Sequence, residues 1–384
     1  MIKSILDTDL YKLTQQQAVI QEFPDTIVRY DLIIRTPRNF RDGFIEELRD
    51  QINKMKDLQL TDREYKFLLR KTYFFKRPYL DFLKGYRFDP NEVTLQQNSD
   101  GITLQIIGPW YRTILWETPL MATISELFFK NSNAWEEEKR KKVMVDKACF
   151  FNDIGAKFAD FGTRRRYNFD NHNLLVKTCK EYANTFTGTS NPYLAMVHDT
   201  NTIGTQAHEW FMAIAALYGY PSANKIGLEK WVDVYQGDLG IALTDTFTSN
   251  IFFSNFNTKY AKLFDGIRHD SGDPVEFAKK TIRHYDKLKI DPKSKTIVFS
   301  DGLDKNAVAK IKGFCEGKIK DSYGIGTNLT NDVGLKPLNI VIKLTAVLND
   351  DQWIPTVKLS DNTGKHTGPV DSIRLCKQTL QIKE

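Results

Sequence analysis

Arg268, Asp270, Ser271 and Asp273 crowd into one short stretch, Gly266-Ile267-Arg268-His269-Asp270-Ser271-Gly272-Asp273-Pro274. An apolar segment ending in Leu263-Phe264 precedes it. Pro274 then opens a helical pattern with Val275, Phe277, Ala278, Ile282 and Tyr285 on one face. Proline at a first helical position is pre-set for the helix and gives up only a donor that would be unpaired. The charged and hydroxylated residues therefore fall between a strand and a helix N-terminus, where backbone N–H groups converge on anions. Taken alone, such a stretch is equally a capped turn.

It is one of a series. Strand-like Ile241-Ala242-Leu243-Thr244 ends in Asp245, and Thr296-Ile297-Val298-Phe299 ends in Ser300-Asp301-Gly302. Ser322-Tyr323-Gly324-Ile325-Gly326-Thr327 repeats the pattern, and Thr202-Ile203-Gly204-Thr205-Gln206-Ala207-His208 precedes a helix over Glu209 to Leu217. The polar ends Asp245, Asp270, Asp301 and Gly326 fall 25, 31 and 25 residues apart. Apolar runs alternating with helical patterns imply βαβ units and a parallel sheet. Polar residues gathered at several C-terminal strand ends are what a TIM-type barrel uses as its active-site face. A doubly wound sheet draws on fewer strands. The expected class is thus α/β, with an irregular TIM-like barrel.

At 384 residues the chain is long enough for two domains, and 41% hydrophobic residues with 12% aromatic can support a sizeable core. No apolar run approaches the roughly 18 residues of a membrane span. Met1-Ile2-Lys3-Ser4-Ile5-Leu6-Asp7 has no signal-peptide core. Cys149, Cys179, Cys315 and Cys376 lie far apart without a CxxC pair, so neither a zinc site nor a disulfide framework is indicated, and a cytoplasmic setting fits. The net charge of +6 is mild. Lys139-Arg140-Lys141-Lys142 follows Glu136-Glu137-Glu138 on a helical pattern and reads as a solvated face. The other dense run, Arg164-Arg165-Arg166, suits a small anionic ligand better than nucleic acid, for which a basic stripe with interleaved aromatics is missing.

Upstream the pattern changes. A helix capped at Asp7-Thr8, an alternating strand over Thr26 to Ile34, a helix over Phe40 to Met55 and a capping box at Thr61-x-x-Glu64 are expected. Two strands then flank Asn98-Ser99-Asp100-Gly101 as a hairpin. Near the C-terminus, Ile340 to Leu344 and Thr356 to Ser360 read as antiparallel strands. The expected organisation is an N-terminal α+β domain over 1–118, completed by returning strands in 338–384, and a barrel over 119–337.

Three stretches carry a specific resemblance: Asp160-Phe161-Gly162-Thr163-Arg164-Arg165-Arg166, Gly204-Thr205-Gln206-Ala207-His208-Glu209-Trp210, and Arg268-x-Asp270-Ser271-Gly272-Asp273. With Asp9-x-Tyr11 and Gly324-x-Gly326-Thr327, the chain resembles the nicotinate phosphoribosyltransferase family over nearly its whole length. The resemblance implies a type II phosphoribosyltransferase fold and a homodimer with sites between subunits. It also implies transfer of the phosphoribosyl group of 5-phosphoribosyl pyrophosphate to nicotinate, coupled to ATP hydrolysis, with Mg²⁺ accompanying the phosphates. Such chemistry leaves an electron-poor sugar and a highly charged pyrophosphate, so the protein must position groups and stabilise anions.

Carried over residue by residue, Phe161 and Tyr11 of the partner subunit would sandwich the pyridine ring, Arg164 would meet phosphate, and Arg268 would meet the substrate carboxylate. Asp270 and the Ser300-Asp301-Gly302 turn would hold the ribose hydroxyls, with no dedicated metal ligands assigned, and Gly324, Gly326 and Thr327 would cradle the 5′-phosphate. His208 would be phosphorylated from ATP, its second ring nitrogen oriented by Asp245 or, less well placed, Glu209. Arg165 and Arg166 read equally as surface or functional residues, and His269 has no assigned role.

Nicotinamide-using relatives carry an aspartate in the loop that here reads Thr187-Gly188-Thr189-Ser190-Asn191, so Ser190 favours nicotinate. Quinolinate phosphoribosyltransferase lacks the His208 motif. A catalytically dead sensor of phosphorylated metabolites is the reading from another class, and every role above having its residue weighs against it.

Overall fold

The computed structural model describes residues 1–35, 40–98, 101–204 and 206–382. Packing divides the chain into two units. The first comprises Met1–Gln17, Arg29–Gly204 and Ile325–Lys343; the second comprises Ala18–Val28, Thr205–Gly324 and Leu344–Glu384. The expected 118/119 boundary falls inside the first of these. The fold is mixed α/β, with parallel strands and helices. Among the described residues no helix is long and apolar enough to cross a membrane.

In the first unit, β1 (Ile27–Ile34) neighbours β3 (Gly101–Pro109), which pairs antiparallel with β2 (Val93–Asn98). The pairing of Val93 with Ile106 and of Asn98 with Gly101 is the hairpin expected from the sequence; its turn residues 99–100 lie outside the described residues. The capping box forms as expected: Thr61 accepts from the Glu64 amide while the Glu64 carboxylate accepts from Thr61 N. The helix expected from Phe40 starts at Phe44 and runs to Met55. The first helix runs Leu10–Glu22, later than expected, because the Asp7 side chain is engaged by Arg166 instead of capping it. Parallel strands β4 (Phe158–Asp160) and β5 (Phe186–Thr189) pair Asp160 with Thr189. Gly188, at φ +144°, runs so close to Asn201 that a Cβ would sit 2.2 Å from its carbonyl oxygen. No other residue fits there.

In the second unit, β6 (Ile241–Leu243), β7 (Gly266–His269), β8 (Thr296–Phe299) and β9 (Lys320–Ile325) pair in parallel in that order. Between β7 and β8 runs helix Pro274–Lys287, with proline at its start and Asp273 accepting from Val275 N and Glu276 N at 2.9 Å each. The expected TIM-like barrel is not closed among the described residues: β6 has β7 as its only strand neighbour. The Gln206 side-chain oxygen takes Leu243 N at 3.1 Å, so a side chain occupies the β6 edge where a further strand would bond.

The C-terminal strands also differ from expectation. β10 (Ile340–Asn349) pairs antiparallel with β11 (Gln352–Pro355), not with Thr356 to Ser360. Asp350 and Asp351, at φ 46° and 60°, form the two-residue turn between Asn349 and Gln352. Both central residues of such a hairpin turn need positive φ, which aspartate tolerates better than most residues. Thr356 to Ser360 is thereby released to run past the end of β6, where Leu359 N donates to Thr246 O and Ser360 N to Asp245 O.

Candidate active site

The expected site residues form two clusters, one in each unit. In the second unit the parallel register aligns Leu243, Arg268 and Val298 across β6, β7 and β8. Two residues beyond each stand Asp245, Asp270 and Ser300, which explains why strand ends so far apart in sequence form one row. Arg268 is locked by three acceptors: Nε donates to Ser300 Oγ at 2.8 Å, Nη1 to the Gln206 carbonyl at 3.0 Å, and Nη2 to Asp270 Oδ1 at 3.0 Å. Ser300 Oγ also reaches Asp270 Oδ1 at 2.8 Å. Asp301 pairs with Lys365 at 2.6 Å.

His208 begins helix His208–Tyr218 and is buried. Its Nδ1 lies 3.1 Å from Thr246 Oγ1, and its Nε2 lies 2.9 Å from both Asp270 Oδ2 and the Lys358 ammonium. With a single ring proton, Nε2 either donates to Asp270 or accepts from Lys358, and the Thr246 hydroxyl serves whichever state Nδ1 then has. The neighbour of Nδ1 is thus Thr246, while Asp245, the residue expected to orient the ring, lies on the Nε2 side. Asp245 approaches the same Nε2 at 3.7 Å, accepts from Ser271 Oγ at 2.6 Å and sits 3.6 Å from Lys358.

Burial, and after it the Lys358 charge, push the His208 imidazole down to about 4, so the ring is neutral at physiological pH. Burial alone would raise the Asp270 carboxyl; Arg268, then the His208 and Lys358 contacts, reverse this and hold it well below the usual range. Asp245 is likewise held down against its burial, chiefly by Lys358.

The histidine shift has a consequence for stability. The unfolded ring binds a proton near 6.5 and the folded one only near 4, so stability rises with pH across that window and falls as pH drops through it. The two aspartates act below 3.8 and lie outside it. Urea unfolding of wild type should lose roughly 3 kcal/mol to this group between those values. A His208→Gln variant should lose that part of the slope; identical slopes in the two proteins would mean that the ring is not held neutral.

His208, Asp245 and Asp270 hold their donor atoms within 4.8 Å of one another, a spacing that admits a cation. They do not fit a resident Mg²⁺. The Lys358 ammonium already supplies the positive charge they share, and Mg²⁺ prefers an octahedron of oxygens, several from water.

The first unit gathers Tyr11, Phe161, Arg164, Ser190, Gly326 and Thr327. Phe161 N donates to Ile325 O at 2.8 Å beside Gly326, and a Cβ on Gly326 would lie 3.6 Å from the Phe161 carbonyl. Arg164 lies 5.9 Å from the Tyr11 ring centre and 3.7 Å from Asp9. It also reaches Glu117 at 3.4 Å, a carboxylate that burial would raise but Lys12 and Arg164 pull down to about 2. Ser190 is buried, and its hydroxyl donates to Asp9 Oδ1 at 2.6 Å. Asp9 itself is pushed up by burial against Arg164 and Ser190. The absence of a carboxylate at position 190 is therefore accompanied by one next door.

Arg166 is no surface residue. It is fully buried and forms a two-pronged pair with Asp7 at 2.6 and 3.0 Å. His269 is buried against Phe277 and Phe299. Gly302 stands in its turn at φ 60°, while Gly324 lies within β9. Thr205 of the Gly204 motif lies outside the described residues. Sequence reading missed Lys358, Lys365 and Thr246. The one signal for Lys358 is a lysine enclosed by the apolar Val357 and Leu359.

The model of the nicotinate phosphoribosyltransferase (NAPRTase) family matches residues 156–384, and that of its N-terminal domain matches residues 6–125. The chain is 50% identical to a nicotinate phosphoribosyltransferase of Chromohalobacter salexigens, covering 100% of this chain and 99% of that protein. It is 48% identical to one of Desulforapulum autotrophicum, over 99% of each. Its fold is similar to the crystal structure of nicotinate phosphoribosyltransferase from Porphyromonas gingivalis, with a TM-score of 0.97 and 43% identity over 100% of both chains. The corresponding Vibrio cholerae structure gives 0.91 and 32%, covering 100% of this chain and 94% of that one.

Proposed function

The chain belongs to the nicotinate phosphoribosyltransferase family, and from that premise we propose how its residues share the work. It is a phosphoribosyltransferase enzyme acting on nicotinate and 5-phosphoribosyl pyrophosphate. The ring nitrogen attacks C1 of the ribose, the bond from C1 to the pyrophosphate oxygen breaks, and the electron pair leaves with pyrophosphate. In our reading Phe161 and Tyr11 contact the pyridine ring, and a homodimer brings Tyr11 of the partner subunit to it. Arg268, held in register by Ser300 and Asp270, presents N–H groups to the carboxylate. Asp270, Ser300, Asp301 and the Gly302 turn receive the ribose hydroxyls. Gly324, Gly326 and Thr327, with Arg164, take phosphate. Mg²⁺ arrives on the phosphates of ATP and 5-phosphoribosyl pyrophosphate as part of the substrates. The cytoplasm is the proposed setting, and free, mostly buried cysteines are in keeping with it.

ATP coupling runs through His208. The supporting observation is its neutral imidazole with Nε2 facing both Asp270 and Lys358. With the ring proton on Nδ1 and directed to Thr246, the Nε2 lone pair attacks the γ-phosphorus of ATP, and the bond to the ADP oxygen breaks. The neighbouring ammonium offsets the charge of the phosphoryl group on Nε2, and Asp245 holds that ammonium in place. Water later cleaves the P–N bond, returning phosphate and the free ring. Product formation from nicotinate, nicotinamide and quinolinate in parallel, each with and without ATP, tests the reading. Nicotinate should be the productive base, with ATP raising its yield; equal turnover of nicotinamide, or indifference to ATP, would refute the corresponding half.

A further inference from the structure

Asp160 ends β4 as a fully buried carboxylate, and it ties together the two segments that carry Phe161 and Ser190. Its Oδ1 accepts Gly162 N at 2.8 Å, immediately after Phe161. Its Oδ2 accepts the Thr189 hydroxyl at 2.6 Å, and its backbone carbonyl accepts Ser190 N at 2.7 Å. Gly162 is pinned from the other side as well. Its carbonyl accepts from Thr330 Oγ1 at 3.0 Å, and a Cβ there would lie 2.2 Å from that oxygen. The Asp160 carboxylate and carbonyl therefore set the separation between residues 161 and 190.

The last partner of that carboxylate is His172, from helix Phe169–Tyr182, whose Nε2 lies 2.6 Å from Asp160 Oδ2. His172 is fully buried, and its Nδ1 has no hydrogen-bond partner among the described residues. An unsatisfied buried nitrogen is costly, so a leucine or phenylalanine would serve better if the position only filled space. The polar function of this histidine is spent on one bond. Burial alone would raise the Asp160 carboxyl; the His172 ring, followed by Thr189 and Gly162, brings it below its usual value.

We propose that His172 is a positioning residue for the pyridine ring, acting through Asp160 to fix Phe161 and Ser190 relative to each other. The inference rests on the reading of Phe161 as a ring contact. Without the imidazole, Oδ2 keeps Thr189 alone and the carboxylate is free to turn, loosening the Gly162 and Thr189 anchors together. Misplacement of that kind falls first on the base, because the turn at Gly326 keeps its own bonds, Phe161 N to Ile325 O and Thr330 Oγ1 to the Gly162 carbonyl.

Steady-state kinetics on His172→Leu and His172→Gln, with thermal unfolding to confirm folding, would test this. His172→Leu should raise the KM for nicotinate about tenfold, with the KM for 5-phosphoribosyl pyrophosphate and the rate of ATP hydrolysis within about twofold of wild type. His172→Gln, whose amide can still donate to Asp160, should recover most of the loss. An unchanged nicotinate KM in folded His172→Leu, or equal rises in both KM values, would overturn the proposal. Should His172→Leu fail to fold, Thr189→Val removes the other donor to the same oxygen and must raise the nicotinate KM in the same selective way. Phe161→Ala separates the two readings: if it leaves the nicotinate KM unchanged, the ring contact lies elsewhere and the inference falls with it. If Phe161→Ala raises that KM and His172→Leu does not, the inference alone falls.

Discussion

Replacing His208 with alanine should abolish ATP hydrolysis, by a factor on the order of 10³ or more, together with acid-labile phosphate on the protein. In the proposed mechanism the side chain removed is the nucleophile itself. The carboxylates beside it are already engaged, Asp270 by Arg268 and Ser300 and Asp245 by Ser271 and Lys358. Transfer to nicotinate should survive weakly, because in the proposed reading the ribosyl step draws on Arg268, Asp270, Asp301 and the glycine turns and needs no histidine nucleophile. ATP would cease to raise its rate, since on the proposed coupling the phosphohistidine favours the conformation that binds 5-phosphoribosyl pyrophosphate. Thr246→Val should give a milder form of the same phenotype, with slower phosphorylation from a ring whose Nδ1 is no longer oriented. Radiolabel from the ATP γ-phosphate, followed on intact protein, is the measurement. Label retained by His208→Ala would place the phosphate on another residue and end this account of coupling.

Much of what surrounds His208 was legible because it depends on local signals. Asp273-Pro274 announces a helix start, and Asp245, Asp270 and Ser300 each follow an apolar strand; parallel pairing then aligns them without further information. Lys358 was illegible for the opposite reason. Its place beside His208 depends on Asp350-Asp351 adopting positive φ, so that β10 folds back on 352–355 and releases the next residues to run past Asp245. Gln206 shows the same limit. A side-chain amide on the edge of β6 has no signature in a hydrophobic pattern, yet it occupies the edge on which an expected barrel would have continued. Ser190 was identified as a residue of interest, but not its bond to Asp9, since a contact spanning 181 residues leaves no trace in local spacing.

Arg166 was the least legible of the motif residues, because within three adjacent arginines it read equally as a surface or a functional residue, and its burial allows a large effect to be expected. Its guanidinium and the Asp7 carboxylate are both fully buried in a two-pronged pair, with Asn191 Nδ2 adding a bond to Asp7 Oδ1 at 2.8 Å. The pair joins the N-terminal segment bearing Asp9 and Tyr11 to the turn bearing Arg164. Arg166→Met should destabilise the protein by about 3–5 kcal/mol at neutral pH, because it leaves a buried carboxylate with no counter-ion. The double variant Asp7→Asn, Arg166→Met should recover a substantial part of that loss, since neither charge then remains to be desolvated. The pH dependence has a definite sign. In wild type burial would raise the Asp7 carboxyl, but Arg166 holds it below 3.8, so the stability it contributes is present above that value and lost as pH falls below it. In Arg166→Met the largest opposing charge is gone and only Asn191 and His172 still act against burial, so the folded carboxyl titrates higher than in wild type. The deficit of the variant should then be largest at neutral pH and shrink as pH falls toward 3.8, where the neutral acid is buried at little cost. Chemical unfolding of the three proteins between pH 4 and 7 checks both points. A deficit below about 1 kcal/mol at pH 7, the range of an exposed pair, would show that Arg166 and Asp7 are solvated in solution.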